Sequence, residues 1–186
     1  MIMKKIRAVI ASVLACATLL SFTGCSNFKA IEDEDIFFDA LDSAVGIDED
    51  ETSHIKNTTV NGNKAEYVIT AKDGDNTYIY IRYKKDEDAM DYFEDMYDDF
   101  EDIVKDKDFE GSHSSSLSKT KGYITFNGDV ESGSRIGNRY MSKDTEIYGG
   151  IYVNKNVYIE VYSIEGSKRD KEKASNFLKE LGFPKP

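Results

Sequence analysis

The sequence predicts an α+β fold: an antiparallel sheet of about five strands with three helices packed mainly on one face, in the order α-β-β-α-β-β-β-α. Three observations predict it. Three stretches place apolar residues at helical spacing between start and stop signals. Two pairs of alternating segments meet at turns rich in Gly, Asp, Asn and Lys. Runs of strands are separated by single helices with no fixed-period repeat, the pattern of an antiparallel sheet backed by helices.

The first helix is carried by Ile36, Phe37, Ala40, Leu41, Ala44 and Val45, with Asp33 and Asp35 as candidate N-caps and Gly46 as its stop. After the acidic turn Asp48–Glu51, two strands are expected at Ala65–Ala71 and Thr77–Tyr83. A five-residue loop, Lys72-Asp73-Gly74-Asp75-Asn76, joins them. The second helix, from Asp86 to Lys105, is the strongest. Ala89, Phe93, Met96, Tyr97, Phe100, Ile103 and Val104 form one stripe, and the other faces are acidic. Gly111 to Gly122 is rich in Ser and Gly and reads as a loop leading to a strand at Tyr123–Phe126, and Asn127 to Asp144 reads as a second long loop. A hairpin follows, Glu146–Val153 and Val157–Ile164 around Asn154-Lys155-Asn156. The last helix, Arg169–Leu181, has Ser167 before it as a cap and Gly182 and Pro184 behind it as stops.

The N-terminus carries an address. Lys4, Lys5 and Arg7 precede an apolar core from Ala8 to Phe22, and Ser21-Phe22-Thr23-Gly24-Cys25 closes the stretch. A short apolar core behind basic residues, ending in small residues, marks a secretory signal rather than a membrane span. With Cys directly after Gly24, residues 1–25 resemble a bacterial lipoprotein signal with its lipobox. The resemblance implies a diacylglyceryl group on the Cys25 thiol and cleavage that leaves Cys25 first. Cys16, after Val13-Leu14-Ala15, is a rival position, but cleavage there would leave an apolar core of only Ile6–Ala15. The expected organisation is a signal peptide over 1–24, a lipidated Cys and tether over 25–31, and one domain over 32–186. The localisation implied is the extracytoplasmic face of the cell membrane. Richness in Lys, Asp, Asn, Ile and Tyr points to an AT-rich genome and so to a Gram-positive host.

Charge narrows the partners. The chain holds 24 Lys and Arg against 35 Asp and Glu, and losing Lys4, Lys5 and Arg7 with the signal leaves 21 against 35, a formal charge of −14. Such acidity argues against nucleic acid, which needs clustered basic residues. On charge alone, the domain would be held off an anionic membrane while the lipid tethers it. Cys25 is the one cysteine after the signal, so the domain has no internal disulfide.

Strand alternation supplies the candidate site. With a three-residue loop, Val153 pairs with Val157, Tyr152 with Tyr158 and Tyr148 with Tyr162. With the five-residue loop, Ile69, Ile79 and Ile81 face the core while Tyr78, Tyr80 and Arg82 face out. The outer face would then carry Tyr78, Tyr80, Tyr148, Tyr152, Tyr158 and Tyr162, with Gly150 leaving a shallow hollow among them. Tyr joins a broad apolar surface to a hydroxyl at low entropic cost, which suits glycan stacking or protein docking. It also has high β-propensity, which accounts for it in ordinary strands.

No motif names a reaction. Asp106, Asp108 and Glu110 with Gly111 match the start of a calcium loop, but the twelfth position is Leu117 instead of Glu. The two histidines, His54 and His113, lie in no catalytic or zinc-binding pattern, although His113 adjoins Ser112 and Ser114–Ser116. No catalytic residue, metal site or cofactor is expected. The function expected is a non-catalytic binding module at the envelope, with an envelope protein or cell-wall glycan as partner. Two alternatives stand beside it: a glycan hydrolase using paired carboxylates, and a regulatory subunit of a membrane complex.

Overall fold

The computed structural model describes residues 28–186; the signal segment and Cys25 lie outside the described residues. Helix α1 (Glu34–Val45) begins at Asp33, whose carboxylate accepts the Asp35 amide at 3.2 Å, and ends at Gly46 in the left-handed conformation. A single 3-10 turn, Glu49–Glu51, leads into three strands: β1 (Ser53–Val60), β2 (Asn63–Asp73) and β3 (Asn76–Tyr83). Helix α2 (Asp86–Asp106) follows, then β4 (Phe109–Leu117), β5 (Lys121–Val130), a small hairpin β6 (Arg135–Ile136) and β7 (Arg139–Tyr140), β8 (Thr145–Asn154) and β9 (Val157–Ile164). Helix α3 (Lys168–Glu180) opens on a capping box in which the Ser167 hydroxyl accepts the Asp170 amide and Asp170 accepts the Ser167 amide.

The α+β class and the three helices hold; the strand count and order differ from expectation. The main sheet has seven antiparallel strands in the order β1-β2-β3-β9-β8-β5-β4, and β6–β7 forms a separate two-stranded sheet. Two of the added strands are the sheet's edges. β1 and β4 are polar and mostly exposed, as edge strands are when they must not recruit another strand. Polarity hid them in the sequence: the Ser-rich stretch read as a loop is β4, paired along its whole length to β5.

Helices cover both faces, not mainly one. On one face α1 and α3 pack with Phe28, Ile31, Ile69, Tyr78, Tyr80, Tyr152, Ile159 and Val161. On the other, α2 and the β6–β7 hairpin pack on Ile81, Tyr83, Ile124, Phe126, Ile151, Tyr158 and Tyr162. Phe28 and Ile31, in the stretch read as a tether, are therefore core residues. Each such apolar side chain taken from water contributes about 1.5–3 kcal/mol.

The six tyrosines do not share a face. The turn between β8 and β9 is Lys155-Asn156 alone, so Asn154 pairs with Val157, Val153 with Tyr158 and Tyr152 with Ile159. The turn between β2 and β3 is Gly74-Asp75 alone, so Ile69 pairs with Tyr80 and Ala71 with Tyr78. Each loop is shorter than the sequence predicts, and each register moves by one residue. A slip of one sends a whole strand's side chains to the opposite face. Tyr78, Tyr80, Tyr148 and Tyr152 thus lie under α1 and α3, while Tyr158 and Tyr162 lie under α2 and the β6–β7 hairpin.

Candidate functional site

The tyrosines expected to form a binding face are packing residues. Tyr78, Tyr80, Tyr152, Tyr158 and Tyr162 are buried, and Tyr148 is half-buried. Their hydroxyls are spent inside the molecule: Tyr80 donates to the Ile31 carbonyl at 3.2 Å and Tyr152 to the Pro184 carbonyl at 2.6 Å. The expected hollow at Gly150 is filled by the ring and hydroxyl of Tyr152. Burial raises the pKa of each of the five buried phenols, so they stay neutral.

The second place is Glu160, the one buried ionised-type side chain among the described residues, 1 % exposed in the centre of β9. Alternation puts it on the same face as Tyr158 and Tyr162, under the β6–β7 hairpin. The turn of that hairpin, Gly137-Asn138, closes on it. Asn138 donates its backbone N–H to Oε1 and its side-chain amide to Oε2, both at 3.3 Å, and Tyr158 donates to Oε2 at 3.1 Å. Tyr92 of α2 donates to the Asn138 side-chain oxygen at 2.5 Å, which fixes the amide's orientation. Gly137 has φ +54°, and a Cβ there would overlap the Glu160 carboxylate. Arg139, next in the hairpin, donates Nε to the Tyr162 hydroxyl at 2.5 Å with its guanidinium 5.2 Å from that ring's centre.

Burial pushes the Glu160 carboxyl above its ordinary range, while the Asn138 and Tyr158 hydrogen bonds and the Arg139 charge pull the other way. The arrangement is closed. The adjoining cavity, between Arg139, Met141, Tyr162 and Ile164, holds about 10 Å³, room for about one water. No second carboxylate hydrogen-bonds or pairs with Glu160 among the described residues, whereas carboxylate-pair hydrolysis needs two acids about 5–9.5 Å apart across an open cleft. The site stores a protonatable group; it offers a substrate no entry.

The third place is open. Lys56, Asn57, Glu66, Tyr67 and Arg82 line a depression of about 280 Å³ on the α1 side of β1–β3. Two backbone irregularities shape it: Asn57 is left-handed at φ +52°, and the β2–β3 register shifts between Ala65 and Tyr67, bulging Glu66. Tyr67 orders the cations, with Arg82 4.3 Å and Lys56 5.2 Å from its ring centre. Arg82 is further held by Glu34 at 2.8 Å and Glu66 at 3.1 Å, whereas Lys56 is exposed and has no ion-pair partner among the described residues.

The remaining sequence candidates are dispersed. His54 packs on Tyr67 and Phe38, and His113 lies between Phe100 and Phe109. Asp106 ends α2 while Phe109 and Glu110 already belong to β4, so that stretch makes no calcium loop. No group of three His, Cys, Asp or Glu residues among those described could hold a metal ion, and no described helix is long and apolar enough to cross a membrane. Comparison with protein-family models, with curated proteins and with solved structures found no match for this chain.

Proposed function

We propose that this chain is a lipid-anchored protein of the cell envelope whose domain recognises cell-wall glycan without transforming it. The anchor rests on the resemblance of residues 1–25 to a lipoprotein signal. Recognition rests on the contrast between an open polar depression and a sealed carboxyl. The depression, about 280 Å³, approaches the size of small-ligand sites and brings Lys56, Asn57 and Glu66 to one opening. A wall saccharide bears hydroxyl, amide and carboxylate groups, and this mixture of donors, acceptors and both charge signs matches them. Tyr67 supplies rigidity, since an aromatic side chain that already orders its neighbours costs little entropy on binding. A lipid tether keeps such a module concentrated beside the wall.

The test is retention of the lipidated protein on purified wall glycan. The double substitution Lys56→Glu with Asn57→Gly keeps the left-handed backbone and removes two of the polar contacts. Losing charged and neutral hydrogen bonds of about 1.5–3 kcal/mol should weaken retention about tenfold or more. Unchanged retention, or capture of a membrane protein that ignores the double substitution, refutes the assignment of this depression. Release of glycan fragments by the unsubstituted protein refutes the non-catalytic reading.

A further inference from the structure

Several lysines of this acidic domain meet where the described chain begins. The chain enters the described structure at Phe28, whose ring is wedged against Phe183, Tyr152 and Tyr123 at centroid distances of 4.9, 6.0 and 6.4 Å. The Asn154 side chain fixes the Phe28 carbonyl at 2.9 Å. Around this point five lysines converge from separate segments. Lys29 follows Phe28 directly, and the Lys121 ammonium sits 5.4 Å from the Phe28 ring centre. Lys155 joins the β8–β9 turn to the β4–β5 turn, which bears Lys119, by donating its amide to the Thr120 carbonyl at 2.9 Å. Lys185 follows Pro184, whose carbonyl accepts from Tyr152 at 2.6 Å. Lys121 is half-buried and the other four are exposed. Glu32 is paired with Lys155, and the charge of Asp86, in the acidic first turn of α2, also reaches Lys155.

Acids also stand at the opposite end of the sheet. Asp75 lies beside Ile164, and Asp108 lies beside Glu131, each through a backbone hydrogen bond. Asp144 precedes the start of β8. The ten residues of β8 separate the two ends by about 33 Å.

We propose that the five lysines dock the domain end-on against the anionic headgroups of the bilayer that holds the lipid on Cys25. The proposal rests on the reading of Cys25 as lipidated. Two residues, Ser26 and Asn27, separate Cys25 from Phe28, and the three steps of chain between them span at most about 10 Å. Screening at physiological ionic strength acts over about 8 Å, so the lysine ring lies within reach of the surface potential. The acids of the opposite end, several screening lengths farther out, contribute little repulsion. A formal charge of −14 thus does not hold this domain off an anionic membrane, because its distribution and not its sum meets the surface. End-on docking also leaves the depression at Lys56 and Tyr67 on the domain's side, open to the wall.

The experiment uses the protein extracted from its own membranes, with the mass of its N-terminal peptide read first. It is reconstituted into vesicles of zwitterionic lipid alone, or with about one-third anionic lipid. Acetylation of individual lysines is then followed. The expected result is a fall of about threefold or more in labelling of Lys29, Lys119, Lys121, Lys155 and Lys185 on anionic vesicles only, reversed at high salt. Lys107, Lys143 and Lys168, at the far end, should label equally throughout. The triple substitution Lys29→Glu, Lys119→Glu and Lys185→Glu touches only exposed side chains and should remove the protection at Lys155. Inorganic phosphate added to zwitterionic vesicles should protect none of the lysines; protection there would make this a free-anion site and overturn docking. A lipidated Cys25 with even labelling on both vesicles overturns docking alone. An unmodified Cys25 overturns the anchor, and the docking built on it.

Discussion

Under α1 and α3 the sheet is closed by two helices whose apolar faces suffice, and the tyrosine hydroxyls there reach backbone carbonyls of Ile31 and Pro184. Under α2 one helix is left to cover the same sheet, and the β6–β7 hairpin completes the cover with a side-chain network around Glu160. The first face meets Tyr80 and Tyr152 with fixed peptide carbonyls, and Tyr78 with the Asn76 amide, which also donates to the Asp170 carbonyl. The second meets a carboxyl with an amide, a phenol and a nearby guanidinium, each of which must be held in place by something else. A core closed by helices tolerates loss of one hydrogen bond; a core closed by a short hairpin over an acid depends on every member of its network.

The strongest way to break this comparison is to truncate one large buried ring on each face. Phe177 of α3 packs on Phe37 and Tyr78 at 5.3 and 4.9 Å between centroids, and Phe93 of α2 is equally buried on the other side. Phe177→Ala and Phe93→Ala should each cost about 3–5 kcal/mol in denaturant unfolding. A near-silent variant on either side would mean that this face is not core, and would restore a sheet covered on one side only.

The comparison also explains what was legible in the sequence. The helices were, because capping is local chemistry: Asp33 and Gly46 bound α1, and Ser167 with Asp170 opens α3 where the spacing predicts it. The central strands were legible as strands but not as to which side of each was covered. β3, β8 and β9 are nearly continuous in Tyr, Ile and Val, the signature of strands buried on both faces, and alternation has no polar side to fix its phase. Phase then rests on turn length alone, and one residue of error at Lys72–Asn76 and at Asn154–Asn156 moved all six tyrosines. Glu160 was visible as a charge within such a strand. Its burial was not, because the cover comes from Gly137 and Asn138, in a stretch that reads as a loop.

A smaller effect sharpens the contrast at the hairpin itself. Gly137→Ala sets a methyl against the Glu160 carboxylate in a left-handed backbone, which should cost about 1–3 kcal/mol by pushing the β6–β7 turn away. Gly133, also left-handed at φ +97° in the same connection, has nothing within 4 Å of an added Cβ. Gly133→Ala pays the backbone strain alone, about 1 kcal/mol, so the difference between the two variants isolates the contact with Glu160. Equal losses would mean that the turn does not close on the acid.

The finest distinction is the proton on Glu160. Burial raises its pKa above the ordinary value of 4.5, so the folded protein keeps the proton to higher pH than the unfolded chain does. Between those two values folding takes up a proton, and stability falls as pH rises. The contribution of the neutral carboxyl is complete below pH 4.5 and is lost as pH climbs through the folded value. Glu160→Gln fills the same space without titrating, although its amide cannot accept from Asn138 as the second oxygen does. The variant should therefore be the less stable of the two at low pH and gain on the unsubstituted protein as pH rises. Denaturant midpoints of both proteins, taken from about pH 4 to about pH 8, give the difference directly and cancel the many exposed carboxylates they share. Parallel profiles would mean that water reaches the carboxyl and that the hairpin is an open flap; the α2 face would then present an acid to solvent through a movable cover, whereas the α1 face presents charged groups at the edge beside Lys56 and Arg82.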